Sequence, residues 1–331
     1  MSTVLITGGA GFIGAALAGA FAARGDTVRL VDSLARGKRD RQLDELLTKP
    51  NVTFHQRDLL RADALDDLGT DHTHVIHLAA ILGVQNVLDR PAATLANNVR
   101  LLETALQFAA RQSRLERLVF ASTSEVYAGS LELMAMPIPT PEDTPLALPP
   151  LGQPRTSYML SKIYGEAMVR HSGLPFTIVR PHNVYGPRMG QAHVIPQLLE
   201  KAYRAPDGGT LEVFSVEHRR TFCFIDDAVE MIVRAATTPA CAGAVLNLGN
   251  QTPELAIGTV AEVIVQTVGK RLTIVPMPPT PGSPARRCPD MSRMVALTGY
   301  RGRVALEEGV RRTYDWYRAK VFEGGETEVA K

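Results

Sequence analysis

Tyr158 and Lys162 are the residues of this chain best suited to proton chemistry. Four positions apart, they share one face of any helix that carries them. A cation beside a phenol favours phenolate. A phenolate can take the proton of a hydroxyl while hydride leaves the same carbon for a nicotinamide. Such a base works beside a second hydroxyl that positions the substrate. Thr123 offers one just after the apolar run 118–121, at a strand end where ligands of open α/β sheets bind. Ser124 and Glu125 follow it directly. The Tyr-x-x-x-Lys spacing alone arises often by accident, so its weight depends on the elements that position it.

The N-terminus supplies the strongest of these. Val4-Leu5-Ile6 reads as a strand and runs into Gly8-Gly9-Ala10-Gly11-Phe12-Ile13-Gly14, which opens a helix of small residues. Glycines at a strand-to-helix turn let backbone approach a pyrophosphate, whose charge then rests on the free N–H groups of the helix start. The spacing is GxxGxxG rather than GxGxxG. A second strand, 28–31, ends at Asp32, whose carboxylate can accept hydrogen bonds from ribose hydroxyls and would repel a 2′-phosphate. NAD is therefore expected over NADP. Arg36, Lys38 and Arg39 lie just beyond; they read as a solvated loop, with softening of that preference as the alternative.

Short β-type runs alternate with helical stretches through the first 180 residues: strands at 4–6, 28–31, 52–55, 74–77, 118–121 and 176–179, and helices at 11–24, 40–47, 91–111 and 157–172. This alternation predicts a doubly wound parallel sheet with helices on both faces. The proline-rich stretch 137–154 reads as a loop crossing the top of the sheet. Past Arg180 the pattern becomes irregular, with helices expected at 194–203, 226–236, 259–268 and 307–318 and strands at 211–214, 245–248 and 272–275. The expected organisation is a cofactor domain over 1–180, to which 219–249 returns, and a smaller substrate lobe from 181–218 and 250–320. A frayed tail is expected over 321–331.

Composition narrows the function classes. The 331 residues carry a formal net charge of +2, with 45% hydrophobic and 21% charged residues. That balance gives no electrostatic case for nucleic acid or an anionic membrane. No apolar stretch is long enough to span a bilayer, and no secretory leader is read at the N-terminus. Three cysteines without metal-like spacing fit a reducing cytoplasm. None of the eight histidines has zinc-like spacing with other ligands, so no metal is expected.

Taken together, these motifs identify the chain as resembling the extended short-chain dehydrogenase/reductases of the NAD-dependent nucleotide-sugar epimerase/dehydratase family. The resemblance covers 1–320. It rests on the glycine motif, Asp32, Arg57-Asp58-Leu59, His77-Leu78-Ala79-Ala80, Asn97-Asn98-Val99, Ala121-Ser122-Thr123-Ser124-Glu125-Val126-Tyr127, the Tyr158/Lys162 pair and Arg180-Pro181-His182-Asn183-Val184-Tyr185-Gly186-Pro187-Arg188. It implies a Rossmann fold, tightly held NAD, a nucleotide-diphosphate sugar (UDP favoured) as substrate and a homodimer, built by pairing of helices 91–111 and 157–172. Cofactor contacts are expected from Gly8, Gly11, Phe12, Ile13, Asp32, Asp58, Leu59, Leu78, Ala79, Ala80, Asn98, Tyr158, Lys162 and Pro181. Substrate contacts are expected from Ser124, His182, Asn183, Arg188, Val194, Arg220 and Arg287, the last two as arginines on the diphosphate. His77 ends a strand and reads as structural. In place of the Gly-Thr common after Asn-Val stand Leu101-Leu102.

Oxidation at the sugar C4 acidifies its neighbours and labilises a uronic carboxyl, so one scaffold can epimerise, dehydrate or decarboxylate. The catalytic set implied is Thr123, Tyr158, Lys162 and Glu125. Dehydratases of the family usually show Asp-Glu where this chain has Ser124-Glu125, the pair of UDP-glucuronate decarboxylases. A 4-epimerase of a UDP-hexose or UDP-hexuronate is expected first, as the most numerous branch, and a UDP-glucuronate decarboxylase second. A 4,6-dehydratase, an NADPH-dependent ketone reductase and a non-catalytic cofactor sensor are the remaining alternatives.

Overall fold

A computed structural model describes residues 1–279 and 283–324. Its centre is a seven-stranded parallel sheet in the order Val245–Leu248, Phe176–Pro181, Arg117–Ala121, His74–His77, Thr3–Thr7, Thr27–Asp32 and Val52–Gln56. Helices cover both faces, as the buried strands require: Val4, Leu5 and Ile6 are all fully inaccessible. Phe12–Ala23 packs beside Ile225–Thr237 on one face, and Pro91–Ala110 beside Pro154–Arg170 on the other. This is a Rossmann-like α/β fold. The strand order reverses between Thr3–Thr7 and His74–His77, which opens a crevice at the carboxyl ends of the strands.

The remaining chain forms smaller units past that crevice. Val184–Tyr185 pairs with Cys223–Phe224, Thr210–Phe214 with Thr273–Met277, and Arg219–Arg220 lies between Leu255–Ala256 and Arg286–Arg287. Helices Val194–Arg204, Ile257–Val268 and Leu306–Tyr317 pack together on these strands. Asp227 fastens the C-terminal segment, accepting hydrogen bonds from the Tyr300 hydroxyl and from the amides of Arg303 and Val304.

Several expectations are revised. The Tyr158 helix begins at Pro154, because proline is tolerated in a first turn where its missing N–H has no partner. Val84–Asp89, Ala128–Leu133 and Ser292–Thr298 are helices of two turns or less, too short to show a period. The tail expected to fray from residue 321 instead continues as a π-helical turn, Arg318–Phe322, with Phe322 stacked on Tyr203 at 4.8 Å; residues 325–331 lie outside the described residues. Of the small positions expected to serve helix pairing between protomers, Ala105, Ala109 and Val169 are buried within the protomer, whereas Ala167 is exposed.

A buried ion pair locks the Tyr158 helix to the sheet. Glu166, one turn past Lys162, accepts from Arg180 Nε at 2.8 Å and Nη2 at 2.7 Å, and from the Ser122 hydroxyl at 2.6 Å. Both side chains are at most 4% exposed. Removing one partner leaves a desolvated charge, which typically costs 3–5 kcal/mol. Glu166→Ala is therefore expected to lower the free energy of unfolding in urea by about 3–5 kcal/mol; a loss under about 1 kcal/mol would remove this pair from the account.

Candidate active site

A cleft of about 920 Å³ follows the crevice. Its floor is the glycine turn. Gly8 has φ 71°, and a Cβ there would stand 2.9 Å from the Ala79 amide nitrogen; a Cβ on Gly14 would stand 2.2 Å from the Gly8 carbonyl oxygen. Only glycine allows this packing. Gly11 caps the helix Phe12–Ala23 with no side chain, so the first-turn amides keep their donors for an anion. Asp32 accepts from the Ala10 and Leu34 amides at 3.1 and 2.8 Å. Burial raises its carboxyl above the ordinary aspartate value, opposed by those amides and by Arg188. Phe12, Ile13, Asp58, Leu59, Leu78, Ala79, Ala80 and Pro181 also line the cleft. The donor set fits a dinucleotide, with its ribose at Asp32 and its diphosphate at the helix start.

Thr123, Tyr158 and Lys162 line the opposite end. Thr123 stands two residues past the strand Arg117–Ala121 and is hydrogen-bonded to Tyr158. Lys162 Nζ donates to the Ala121 carbonyl at 2.8 Å and stands 5.9 Å from the Tyr158 ring centre. Burial pushes the Tyr158 phenol up to about 12, with Glu125 adding to the rise and Thr123 and Arg36 opposing it. Burial pulls the Lys162 ammonium down to about 8. The expected lowering of Tyr158 by Lys162 is not among the influences on the phenol in the protein alone: desolvation dominates, and Arg36 is the cation that favours phenolate. Arg36 itself is half-buried in the cleft rather than a member of a solvated loop.

Beyond Thr123 lies a charged cluster. Glu125 Oε1 accepts from Arg287 Nη1 at 2.6 Å, and the same nitrogen is 3.4 Å from the Ser124 hydroxyl. Arg287, chiefly, holds the Glu125 carboxyl below its ordinary range, so it is ionised at neutral pH. Arg220 neighbours this pair but gives its donors to the carbonyls of Arg219, Pro284 and Ala285 and to Ser283. Burial and Arg287 pull it down to about 10. His182 is buried, held neutral by desolvation at about 3, with Nε2 3.2 Å from Asn247 and Nδ1 without a partner among the described residues.

Four of the expected contact residues have other partners or settings in the structure, although Arg188 among them also lines the cleft. Asn98 turns from the cleft to bond both backbone groups of Ile81 and the Ser161 hydroxyl; its neighbour Asn97 lines the cleft instead. Arg188, expected on substrate, is held by Asp40, the Gly11 carbonyl and the Lys38 carbonyl. It ties the chain after Gly186 to the cofactor loop. The Asn183 amide donates to the Thr221 carbonyl at 2.9 Å, and Val194 is an exposed residue at a helix start. His77 is structural in its setting, buried and paired with Thr7 at 2.9 Å.

The sequence reading missed the polar network behind the site. Arg180 Nη1 donates to the Tyr127 hydroxyl at 2.7 Å, and that hydroxyl donates to Asn247 at 2.9 Å. Glu142 accepts from the Asn247 amide nitrogen at 2.8 Å. Only Glu166 carries a local signal, four residues past Lys162; the other contacts join distant segments. No group of three or more metal-ligating side chains occurs among the described residues.

Comparison with known proteins fits this arrangement. Residues 4–249 match the model of the NAD dependent epimerase/dehydratase family. The chain belongs to that family. Its cofactor is NAD, as Asp32 implies. A UDP-N-acetyl-alpha-D-glucosaminuronate decarboxylase of Bacillus cytotoxicus is 32% identical over 326 residues, covering 95% of this chain and 97% of that one. Among solved structures, a UDP-glucose 4-epimerase of Thermotoga maritima superposes with TM-score 0.82 at 25% identity, over 96% of this chain and 99% of the other. A dTDP-glucose 4,6-dehydratase of Streptomyces venezuelae with NAD bound superposes with TM-score 0.83 at 25% identity, over 99% and 100%.

Two outcomes follow for the Tyr158 end. Tyr158→Phe keeps the ring but loses the proton acceptor, so single-turnover hydride transfer should fall by about two to four orders of magnitude; near-normal transfer would exclude the phenol as base. Lys162 is charged below its folded value and neutral above it. Its side-chain NMR signal in the cofactor-free protein should titrate with a midpoint near 8 rather than the ordinary 10.5, and an ordinary midpoint would contradict the burial argument.

Proposed function

We propose that this enzyme is an NAD-dependent decarboxylase of a nucleotide-diphosphate hexuronate, with UDP as the favoured nucleotide. The observation that carries this reading is the Glu125–Arg287 ion pair beyond Thr123 and Tyr158, with Arg220 beside it. A neutral hexose needs no buried cations at its far end. A hexuronate brings a carboxylate there, and a planar guanidinium suits it. The relative from Bacillus cytotoxicus, matched along nearly its whole length, carries a decarboxylase name, which supports the same choice. The reading thus moves from the 4-epimerase expected first to the decarboxylase expected second.

NAD, when bound, accepts and returns the C4 hydride. Thr123 orients the C4 hydroxyl, and Tyr158 takes its proton as the carbon is oxidised. The carboxylate is then β to a ketone. The bond between ring and carboxyl carbon breaks, carbon dioxide leaves, and the electron pair is held as the enolate of the 4-keto sugar beside Thr123 and Tyr158. Arg287 holds the carboxylate before it leaves. Glu125, ionised at rest beside Arg287, takes up a proton from solvent once carbon dioxide has left and passes it to the ring carbon, ending ionised again. Tyr158 finally returns a proton to the reduced C4 oxygen.

The 4-epimerase is the second reading, favoured by the likeness to the Thermotoga maritima enzyme. A panel of UDP-glucuronate, UDP-N-acetylglucosaminuronate and UDP-glucose, followed by product mass and released carbon dioxide, separates the two. Stoichiometric carbon dioxide from a hexuronate is expected, and Glu125→Gln should slow its release about 10²-fold or more, the scale of a lost acid–base group. An isomer of unchanged mass, with no carbon dioxide, overturns the decarboxylase.

A further inference from the structure

Arg36 lines the cleft, and beyond its bearing on Tyr158 the site above gives its charge no binding role. It follows Asp32 in the loop after the strand Thr27–Asp32, and that loop folds back tightly: a Cβ on Gly37 would stand 3.0 Å from both Asp32 carboxylate oxygens. The turn directs Arg36 into the cleft, which it lines together with Gly11, Ala80 and Tyr158. Its guanidinium reaches Gly83, on the loop after His74–His77; a Cβ there would lie 3.9 Å from Cζ and Nη1. The side chain therefore spans from the loop after one strand to the loop after another, across the switch point of the sheet.

The charges around it do not balance. Asp32 is held by backbone amides, Asp40 by Arg188, and Asp44 by Arg39. Among the described residues no carboxylate bears on Arg36; the Tyr158 phenol is the group that favours its charge, while burial opposes it. A half-buried cation without an anion is costly. Arg188, by contrast, has each donor nitrogen matched.

We propose that Arg36 is a clasp for the diphosphate of NAD, closing over the cleft opposite the first-turn amides of Phe12–Ala23. The diphosphate supplies the anion that the described residues do not, so Arg36 and the helix start hold it from two sides. This assignment rests on the cofactor alone and stands whichever reaction the enzyme catalyses. It also explains a cation in a loop next to Asp32 without invoking a 2′-phosphate.

Trp316 is the only tryptophan of the chain and lines the same cleft, so its emission reports binding. The test measures dissociation constants of NAD, ADP-ribose, adenosine and UDP for wild type, Arg36→Ala and Arg36→Lys after removal of bound cofactor, with the NAD content of each protein as purified. Arg36→Ala should weaken NAD and ADP-ribose at least about tenfold, the scale of one charge-assisted hydrogen bond, and should purify with less NAD. Adenosine and UDP, which probe the base end and the substrate site, should change less than about twofold, and Arg36→Lys should recover part of the loss. Unchanged NAD affinity, an equal loss for adenosine, or a loss confined to UDP each overturns the assignment. If Arg36→Ala does not fold, Arg36→Gln carries the same comparisons.

Discussion

The Glu166–Arg180 pair fixes the distance between the helix that carries Tyr158 and the strands that carry Thr123 and Pro181. Glu166 stands one turn from Lys162 and takes two guanidinium donors and the Ser122 hydroxyl. Lys162 in turn reaches the carbonyl of Ala121, two residues before Thr123. Helix and strand end are thus joined twice, once by charge and once by a hydrogen bond. Catalytic geometry must be held within a fraction of an ångström, and a desolvated, fully partnered pair does that because its alternatives are expensive. Arg180 passes the constraint on through Tyr127 to Asn247, beside His182.

Burial sets the chemistry of the groups so placed. The Tyr158 phenol is raised and the Lys162 ammonium lowered by the same desolvation. The base is therefore weakly ionised in the protein alone, and the charges that reach it decide when it acts. Arg36 is one such charge. At the other end, Glu125 and Arg287 satisfy each other, and that pairing keeps both charges in place beyond Thr123. Arg220 donates to surrounding carbonyls, so it keeps that cluster in place as well as lending charge.

Much of this was legible in the residues. Parallel strands buried on both faces read as continuous apolar runs, and the seven of the sheet were found within a residue or two. The glycine turn, Asp32, Thr123 and the Tyr158/Lys162 pair are local motifs, so their spacing survives in the sequence. Contacts between distant segments do not. Arg188 belongs to a motif that reads as substrate-facing, yet its guanidinium folds back to Gly11, Lys38 and Asp40. Asn97 and Asn98 differ by one helical position, and only packing shows which one faces the cleft. Arg36 looked solvated because nothing local reveals the Gly37 turn that sends it inward. Two-residue strands such as Val184–Tyr185 have too little length for any period.

The central claim is that a cofactor held in the cleft is reduced and reoxidised by one sugar, through Tyr158, within a single turnover. Rapid mixing of NAD-loaded enzyme with its nucleotide-sugar substrate, followed by the near-ultraviolet absorbance of reduced nicotinamide, tests this directly. The account predicts a rise and a fall on the same enzyme with no NAD added, both slowed when deuterium replaces hydrogen at C4. Product formation with no such transient and no isotope effect, or a rise that persists until external NAD is supplied, would contradict it.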